Sequence, residues 1–164
     1  MIEVWRTLKI PDSEASKVAT ALRIMGYPVT MLDRLEYFAL DFAGEITQDF
    51  VRHANDTIVN PNKHFSMIPG YRENERQRFE MSYDARIFVQ TDIDTEAVGV
   101  LSVLRERLGY GDRIQSVRRK IVWGLNLDAT DDQIRRYLKE LVWEPRYFFA
   151  NPNFQKAEVQ LNFR

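Results

Sequence analysis

Alternating apolar and polar positions predict a strand at the start of the chain, and the spacing then changes to that of a helix. Residues 2 to 10 alternate and include Val, Trp, Thr and Leu, which favour strands. Asp12 and Ser13 are candidate N-caps, and apolar residues then recur three and four positions apart as far as Gly26, where a helix can end. The chain therefore opens with a strand followed by a helix.

The pattern of residues 27–61 predicts two strands, a second helix and a turn. Residues 29–36 and 37–43 read as consecutive strands, and residues 47–59 as a helix. Asn60-Pro61 marks the end of that helix, because proline has no N–H to continue the hydrogen-bond ladder.

The same order of elements returns in the second half of the chain. Thr130 and Gln133 form a capping box at the start of its second helix. The predicted elements are a strand at 85–93, a helix at 95–108, strands at 113–119 and 120–127, a helix from 130 to about 142 and a strand at 157–163.

Individual residues also recur between the halves. Gly26-Tyr27 returns as Gly109-Tyr110, 83 positions later (109 minus 26). Leu40 and Phe42 likewise align with Leu125 and Leu127 in the strands. The predicted buried helix faces are Ala15, Val18, Ala21 and Met25 in the first half and Val98, Leu101, Leu104 and Leu108 in the second.

These matches predict an internal duplication. A repeat is considered before the single elements, because it determines the architecture of the whole chain. Residues 1–70 form the first repeat, 71–84 a charged connector containing "YRENERQRFE", and 85–164 the second repeat. The expected fold class is α+β, with two ferredoxin-like βαββαβ repeats that form an intramolecular pseudo-dimer with antiparallel sheets.

A repeated Asn-Pro-Asn sequence leaves the alignment of the repeats open. Asn60-Pro61 aligns either with Glu144-Pro145, which keeps the helices equal in length, or with Asn151-Pro152. The second alignment requires a seven-residue insertion, "EPRYFFA", after the last helix.

The composition and charge of the chain argue against several classes of function. The chain has 164 residues, is 45% hydrophobic and can bury a sizeable core. A formal net charge of -1 gives no electrostatic case for nucleic acid or an anionic membrane, and no apolar run approaches a membrane span. With no cysteine and no targeting sequence, we expect a cytoplasmic protein without disulfides or a thiolate nucleophile.

The chain offers no catalytic, metal or cofactor motif. His53 and His64 lack the spacing of metal ligands, so we interpret them as surface or boundary residues. Asp128, Asp131 and Asp132 lie where a helix start favours negative charge. We therefore expect no catalytic residue, no metal and no cofactor.

Aromatic residues raise RNA binding as an alternative. Tyr37 and Phe38, with Val122 and Trp123 in the second half, occupy the strand that carries base-stacking rings in RNA-recognition motifs. The glycines of that motif are missing, and core packing explains aromatic strands equally well. The basic run 118–120 is expected at a solvated hairpin turn.

The segment "LRERLGYGDRIQSVRRKIVWGLNLDA" resembles PurS, the small subunit of formylglycinamide ribonucleotide amidotransferase. "FFANPNFQKAEVQLNF" is similar to the family's helix end and following strand, and "LKIPDSEASKVATAL" to its opening strand, loop and helix. The likeness covers nearly the whole chain, twice. Two features depart from the family: the loop before each first helix lacks the family's glycine, and PurS is ordinarily one unit per chain.

This resemblance implies a scaffold function. PurS has no catalytic residues; it binds a glutaminase subunit and an ATP-using synthetase subunit and supports ammonia passage between them. It also associates as dimers, so a duplicated chain would form a dimer within one polypeptide and could oligomerise further. The competing interpretation is a tandem regulatory domain of the ACT type, also βαββαβ, that binds a small metabolite between its copies.

Overall fold

The computed structural model describes residues 1–162, which form ten helices and strands in chain order. They are β1 (Ile2–Leu8), α1 (Ser13–Ile24), β2 (Val29–Phe42), α2 (Gln48–Ile58), β3 (His64–Met67), β4 (Ala85–Thr91), α3 (Thr95–Ser102), β5 (Ile114–Leu127), α4 (Asp131–Val142) and β6 (Gln155–Leu161). The strands form one six-stranded antiparallel sheet in the order β3-β1-β2-β5-β4-β6. The fold is therefore α+β. Phe163, the last position of the predicted final strand, lies outside the described residues.

The two pairs of short strands predicted in mid-repeat are single long strands. β2 and β5 each run for 14 residues without interruption. The prediction was wrong because neither midpoint carries glycine, proline, asparagine or aspartate, the residues that reverse the chain. The basic run 118–120 accordingly lies inside β5 and not at a turn. Within the described residues, each repeat has the element order βαβαβ.

The chain divides into two compact units, and each unit contains segments of both sequence repeats. Unit 1 comprises Met1–Ile10, Glu36–Glu80 and Ile93–Lys120. Unit 2 comprises Pro11–Leu35, Met81–Asp92 and the chain from Ile121 onward. Helices α2 and α3 thus belong to unit 1, and α1 and α4 to unit 2.

Each unit has its own hydrophobic core. In unit 1, Phe50 and Ile58 of α2 pack with Val4 of β1, Phe38 of β2 and Leu104 beyond α3. The core of unit 2 includes Leu22, Ile87, Leu125, Leu138 and Phe149. Each fully buried side chain of this size stabilises the fold by about 1.5 to 3 kcal/mol.

The buried face of α3 is one position away from the predicted face at Ala97 and Val100, whereas Leu104, just beyond the helix, is buried as predicted. Ala97, Val100 and Leu104 are buried, whereas Val98 is 59% exposed and Leu108 39% exposed. The prediction aligned the helices at their C-terminal glycines, but the N-caps Asp12 and Asp94 are 82 positions apart (94 minus 12). The second copy accommodates its extra residue in a π-helical turn, Val103–Arg107.

In α1 the buried residues are Ala15, Ala19 and Leu22. Of the four residues predicted for this face, Ala15 is buried, while Val18, Ala21 and Met25 are half-buried. The predicted and observed faces therefore share Ala15, and the predicted Val18 and Ala21 each lie one position before a buried residue.

Candidate functional site

The Gly-Tyr pairs end their helices in the left-handed conformation that we predicted. Gly26 has a φ of 93° and Gly109 a φ of 74°. Tyr27 donates its N–H to the carbonyl of Leu22, and Tyr110 donates its N–H to the carbonyl of Leu104. Glycine is favoured at both helix ends because positive φ is strained for residues with a Cβ.

Both tyrosines then anchor their rings inside the unit to which they belong. The hydroxyl of Tyr27 donates to Glu140 in unit 2. The hydroxyl of Tyr110 lies 2.6 Å from Nδ1 of His53 in unit 1, and its ring packs edge-on against Phe50. These side chains stabilise the packing of the helix ends.

The two Asn-Pro-Asn sequences form the same turn. The side-chain oxygen of Asn60 accepts the N–H of residue 62, and the backbone carbonyl of Asn60 accepts the N–H of His64 at 2.8 Å. Asn151 makes the same two bonds, to the N–H groups of residue 153 and Gln155. Each turn leads into a strand. Asn60-Pro61 therefore corresponds to Asn151-Pro152, and residues 144–150 are the insertion.

A polar cleft of about 170 Å³ opens in unit 1 beside Pro61. Of the predicted motif residues, Pro61 lines this cleft and Asn60 adjoins it, whereas Asn151 and Pro152 lie in unit 2. The cleft is lined by Lys9, Asn55, Val59, Pro61, His64, Ser66, Arg72, Asn74 and Glu75.

Asn55 is the buried polar residue of this cleft. Only 7% of its surface is exposed. Its side-chain oxygen accepts a long hydrogen bond of 3.5 Å from Ser66, and its amide nitrogen has no acceptor among residues 1–162. Ser66 in turn donates its backbone N–H to Glu75 at 2.7 Å. The cleft thus contains an amide donor that solvent reaches and that remains available to a ligand.

His64 also lines the cleft, and one of its ring nitrogens already accepts a hydrogen bond from the backbone. Its Nδ1 accepts the backbone N–H of Asn60 at 3.0 Å, so the neutral ring carries its proton on Nε2. Burial lowers the pKa of His64, and the charge of Arg6 lowers it further, against the opposing carboxylates of Glu36 and Glu96. The histidine is therefore held neutral.

A buried network of charges occupies unit 1 and begins at Arg6. The guanidinium of Arg6 pairs with Glu36 and Glu96, and its Nη1 donates to the carbonyl of Ile58 at 2.5 Å. Burial alone would raise the pKa of Glu36, but the hydrogen bonds and charges of Arg6 and Arg119 outweigh burial and lower it. Glu36 is thus ionised in the folded state.

Arg119 completes this network from the middle of β5. It pairs with Glu36 at 2.5 Å, Asp94 at 3.0 Å and Glu96 at 3.3 Å. Its Nε is buried without a hydrogen-bond partner. The basic run predicted to be solvated therefore places its central residue in an ion network.

Two polar positions of the cleft in unit 1 are apolar in unit 2. Counting from the helix N-caps Thr47 and Thr130, Asn55 and Leu138 occupy the same position, and Leu138 is 2% exposed. Counting from the Asn-Pro-Asn turns, Ser66 matches Ala157. The two units thus differ at these cleft positions.

Most of the cleft was missed in the sequence. Lys9 lies 46 positions before Asn55 (55 minus 9). Together with Ser66 and Arg72 these residues form no recognisable motif. A usable signal was present: alignment of the two helix N-caps places a polar Asn55 opposite Leu138. Such a polar residue at a core position indicates a site.

The strand residues considered for base stacking mostly make packing contacts and hydrogen bonds within the protein. Phe38 and Val122 are fully buried. The Tyr37 hydroxyl donates to Glu3, and burial together with that bond raises the pKa of Tyr37 to about 12. Trp123 packs on Phe149 at 5.9 Å between ring centroids.

The acidic residues near α4 include two in its first turn, as predicted. Asp131 and Asp132 begin the helix, and the capping box between Thr130 and Gln133 is confirmed. Within residues 1–162 there is no group of three or more His, Cys, Asp or Glu side chains arranged to hold a metal ion. No helix in this part of the chain has the length and apolar character needed to cross a membrane.

Comparison with known proteins adds no relative to this description. No protein-family model matches the chain, and no curated protein sequence matches it.

Proposed function

We propose that this chain is a non-catalytic scaffold subunit of phosphoribosylformylglycinamidine synthase, which bridges the glutaminase and the ATP-dependent synthetase subunits. The proposal is carried by one observation on the motifs that resemble PurS: both Gly-Tyr helix ends have a glycine at positive φ, and both Asn-Pro-Asn turns make the same hydrogen bonds. Local geometry that is kept in both halves supports a true duplication of the PurS unit.

The composition of the units supports an internal pseudo-dimer. Unit 1 holds β3, β1, the second half of β2 and the first half of β5, together with helices α2 and α3. Four antiparallel strands in this order with two helices are the elements of a ferredoxin-like βαββαβ unit. We propose that each unit is such a fold built from both repeats, as in a dimer whose subunits exchange a helix.

Exposed isoleucines at matched positions offer surface for the partner subunits. Ile10 is 69% exposed and Ile93 is 79% exposed. Ile10 lies two residues before the N-cap of its helix, and Ile93 lies one residue before the N-cap of its helix. Apolar side chains left in water at the same place in both repeats are typical of contact sites. We propose that these loops contact the glutaminase or the synthetase.

In the proposed complex, formylglycinamide ribonucleotide, glutamine, ATP and water are converted to the amidine, glutamate, ADP and phosphate. Glutamine hydrolysis takes place on the glutaminase, since this chain has no cysteine to act as its nucleophile. The scaffold holds the two active sites so that ammonia passes between them.

Reconstitution tests this function. The chain alone is expected to show neither glutaminase nor ATPase activity. Added to the glutaminase and synthetase subunits from the same cell, it should be required for amidine formation from glutamine, whereas synthesis from free ammonia should depend on it much less. Equal glutamine-dependent turnover without the chain would refute the scaffold function.

Substitution of the matched isoleucines localises the contact. Ile10→Asp with Ile93→Asp should reduce co-purification of a partner subunit while leaving the melting temperature unchanged. Ile24→Asp is the control, because Ile24 is 81% exposed on α1 but aligns with an arginine in the second repeat. Equal loss of partner in the control would place the contact elsewhere.

A further inference from the structure

We propose that the polar cleft of unit 1 binds a small monocarboxylate that also carries an amide or ammonium donor, such as a free amino acid. This proposal does not rest on the scaffold function, because it concerns the isolated chain and a site formed within one unit.

The charges around the cleft suit a single carboxylate. Lys9 and Arg72 form no ion pair among residues 1–162, and Glu75 is the acidic residue of the lining. Two cations and one carboxylate suit a zwitterion, whose carboxylate pairs with a cation of the cleft and whose ammonium group pairs with Glu75. A planar guanidinium such as that of Arg72 can bind both oxygens of a carboxylate. A doubly charged phosphate would be repelled by Glu75.

The remaining lining groups recognise the polar end of such a ligand. The amide nitrogen of Asn55 is available as a donor, and the Nε2–H of His64 is a second donor. Glu75 uses Oε2 to accept from Ser66, which leaves Oε1 to accept from a ligand amide or ammonium group. A ligand that pairs with these donors and with the free carboxylate oxygen replaces the water that otherwise occupies an open cleft.

Differences between the two units indicate that this polarity is not required by the fold. The position of Asn55 is filled by buried Leu138 in unit 2, where the same helix packs on an apolar core. Lys9 corresponds to Asp92, because the N–H of each donates a hydrogen bond to the carbonyl of the residue that precedes β3 or β6. The cation of unit 1 is thus replaced by a carboxylate in unit 2. The fold therefore tolerates leucine at the position of Asn55 and has no need of a cation at the position of Lys9, so the polar set in unit 1 requires another explanation.

The connector supplies the outer wall of the cleft. Arg72, Asn74 and Glu75 all lie in residues 71–84, between the repeats. Gly70 and Ser66 hold this segment in place by donating their N–H groups to Glu73 and Glu75. The connector thus links the repeats and also contributes Arg72, the cation that would bind the ligand's carboxylate.

Titration of the full chain with L-glutamine and with L-serine, followed by ¹H–¹⁵N NMR, tests the proposal. At least one of the two should give saturable shifts at Asn55 and Ser66 below about 10 mM, a range that includes weak millimolar binding. Lys9→Ala and Arg72→Ala should each weaken binding about tenfold or more, the loss expected for one charge-assisted contact. Lys156→Ala, an exposed lysine of unit 2, should leave it unchanged.

Asn55→Leu separates binding from folding, because it installs the residue found at the equivalent position of unit 2. This variant should remain folded and lose the ligand. Propionamide, which lacks the carboxylate, and inorganic phosphate should both bind about tenfold more weakly than the amino acid.

The proposal would be overturned if neither amino acid gave saturable shifts, if phosphate bound as tightly, or if Arg72→Ala bound normally. Because these titrations use the isolated chain, failure here leaves the scaffold test unaffected, and failure of reconstitution leaves the ligand site unaffected.

Discussion

The backbone N–H of Asn60 donates a 3.0 Å hydrogen bond to Nδ1 of His64, so the first Asn-Pro-Asn turn holds an unprotonated ring nitrogen at the edge of the cleft. In the second turn the amide oxygen of Gln155 accepts the same bond from Asn151 at 2.8 Å. An imidazole and an amide oxygen thus perform one structural function, but only the imidazole can titrate.

The stability of the protein should therefore depend on His64 in weakly acidic solution. The pKa of His64 is lowered in the folded state, so the unfolded chain binds this proton more readily and protonation favours unfolding. Stability should be retained above the ordinary histidine pKa of about 6.5 and decline as the pH falls below it. His64→Gln should show a smaller decline between about pH 6.5 and 5 in urea unfolding. Identical slopes for both proteins in this range would contradict the prediction.

Substitution at the end of the second repeat's first helix should destabilise the protein. Gly109 has a φ of 74°, which an alanine adopts at a cost of about 1 kcal/mol. Gly109→Ala should therefore lower the melting temperature. The matched control is Gly99→Ala in α3, where a new Cβ meets no atom within 4 Å. It should be neutral or stabilising by up to about 1 kcal/mol, as expected in a helix interior.

Substitution of Arg119 should lower the free energy of unfolding far more than substitution of its neighbour Arg118. Arg119 is a buried partner of Glu36, Asp94 and Glu96, so Arg119→Met leaves uncompensated charges and should reduce the free energy of unfolding by about 3 kcal/mol. Arg118 is half exposed and pairs with Asp41 at 3.5 Å. Arg118→Met should cost less than about 1 kcal/mol. Similar losses in chemical denaturation would show that the network contributes little.

A methyl group at residue 124 should disturb unit 2. A Cβ on Gly124 would lie 2.6 Å from the ring of Tyr83, whose hydroxyl donates to Asp33 at 2.7 Å. The ring is therefore restrained, and Gly124→Ala should destabilise by about 1 to 3 kcal/mol, the usual cost of overpacking. Combining it with Tyr83→Ala should remove the steric part of this cost. A double-mutant cycle without coupling would contradict the close packing.

The sequence by itself determined the local features of this protein. Asp12 and Thr130 cap helices as their spacing to the apolar residues predicted, and the Gly-Tyr pairs end helices at positive φ. Such signals are reliable because a cap or a left-handed glycine acts through hydrogen bonds to residues only a few positions away.

Only the tertiary structure decided how these elements combine. The continuity of β2 through Glu36 and of β5 through Arg119 depends on pairing with distant strands, so alternation within a short segment could not distinguish one long strand from two short ones. The alignment of the Asn-Pro-Asn turns was settled by their hydrogen bonds to His64 and Gln155. The cleft brings together residues as distant in sequence as Lys9 and Arg72, and their proximity arises from packing between segments that carry no common local pattern.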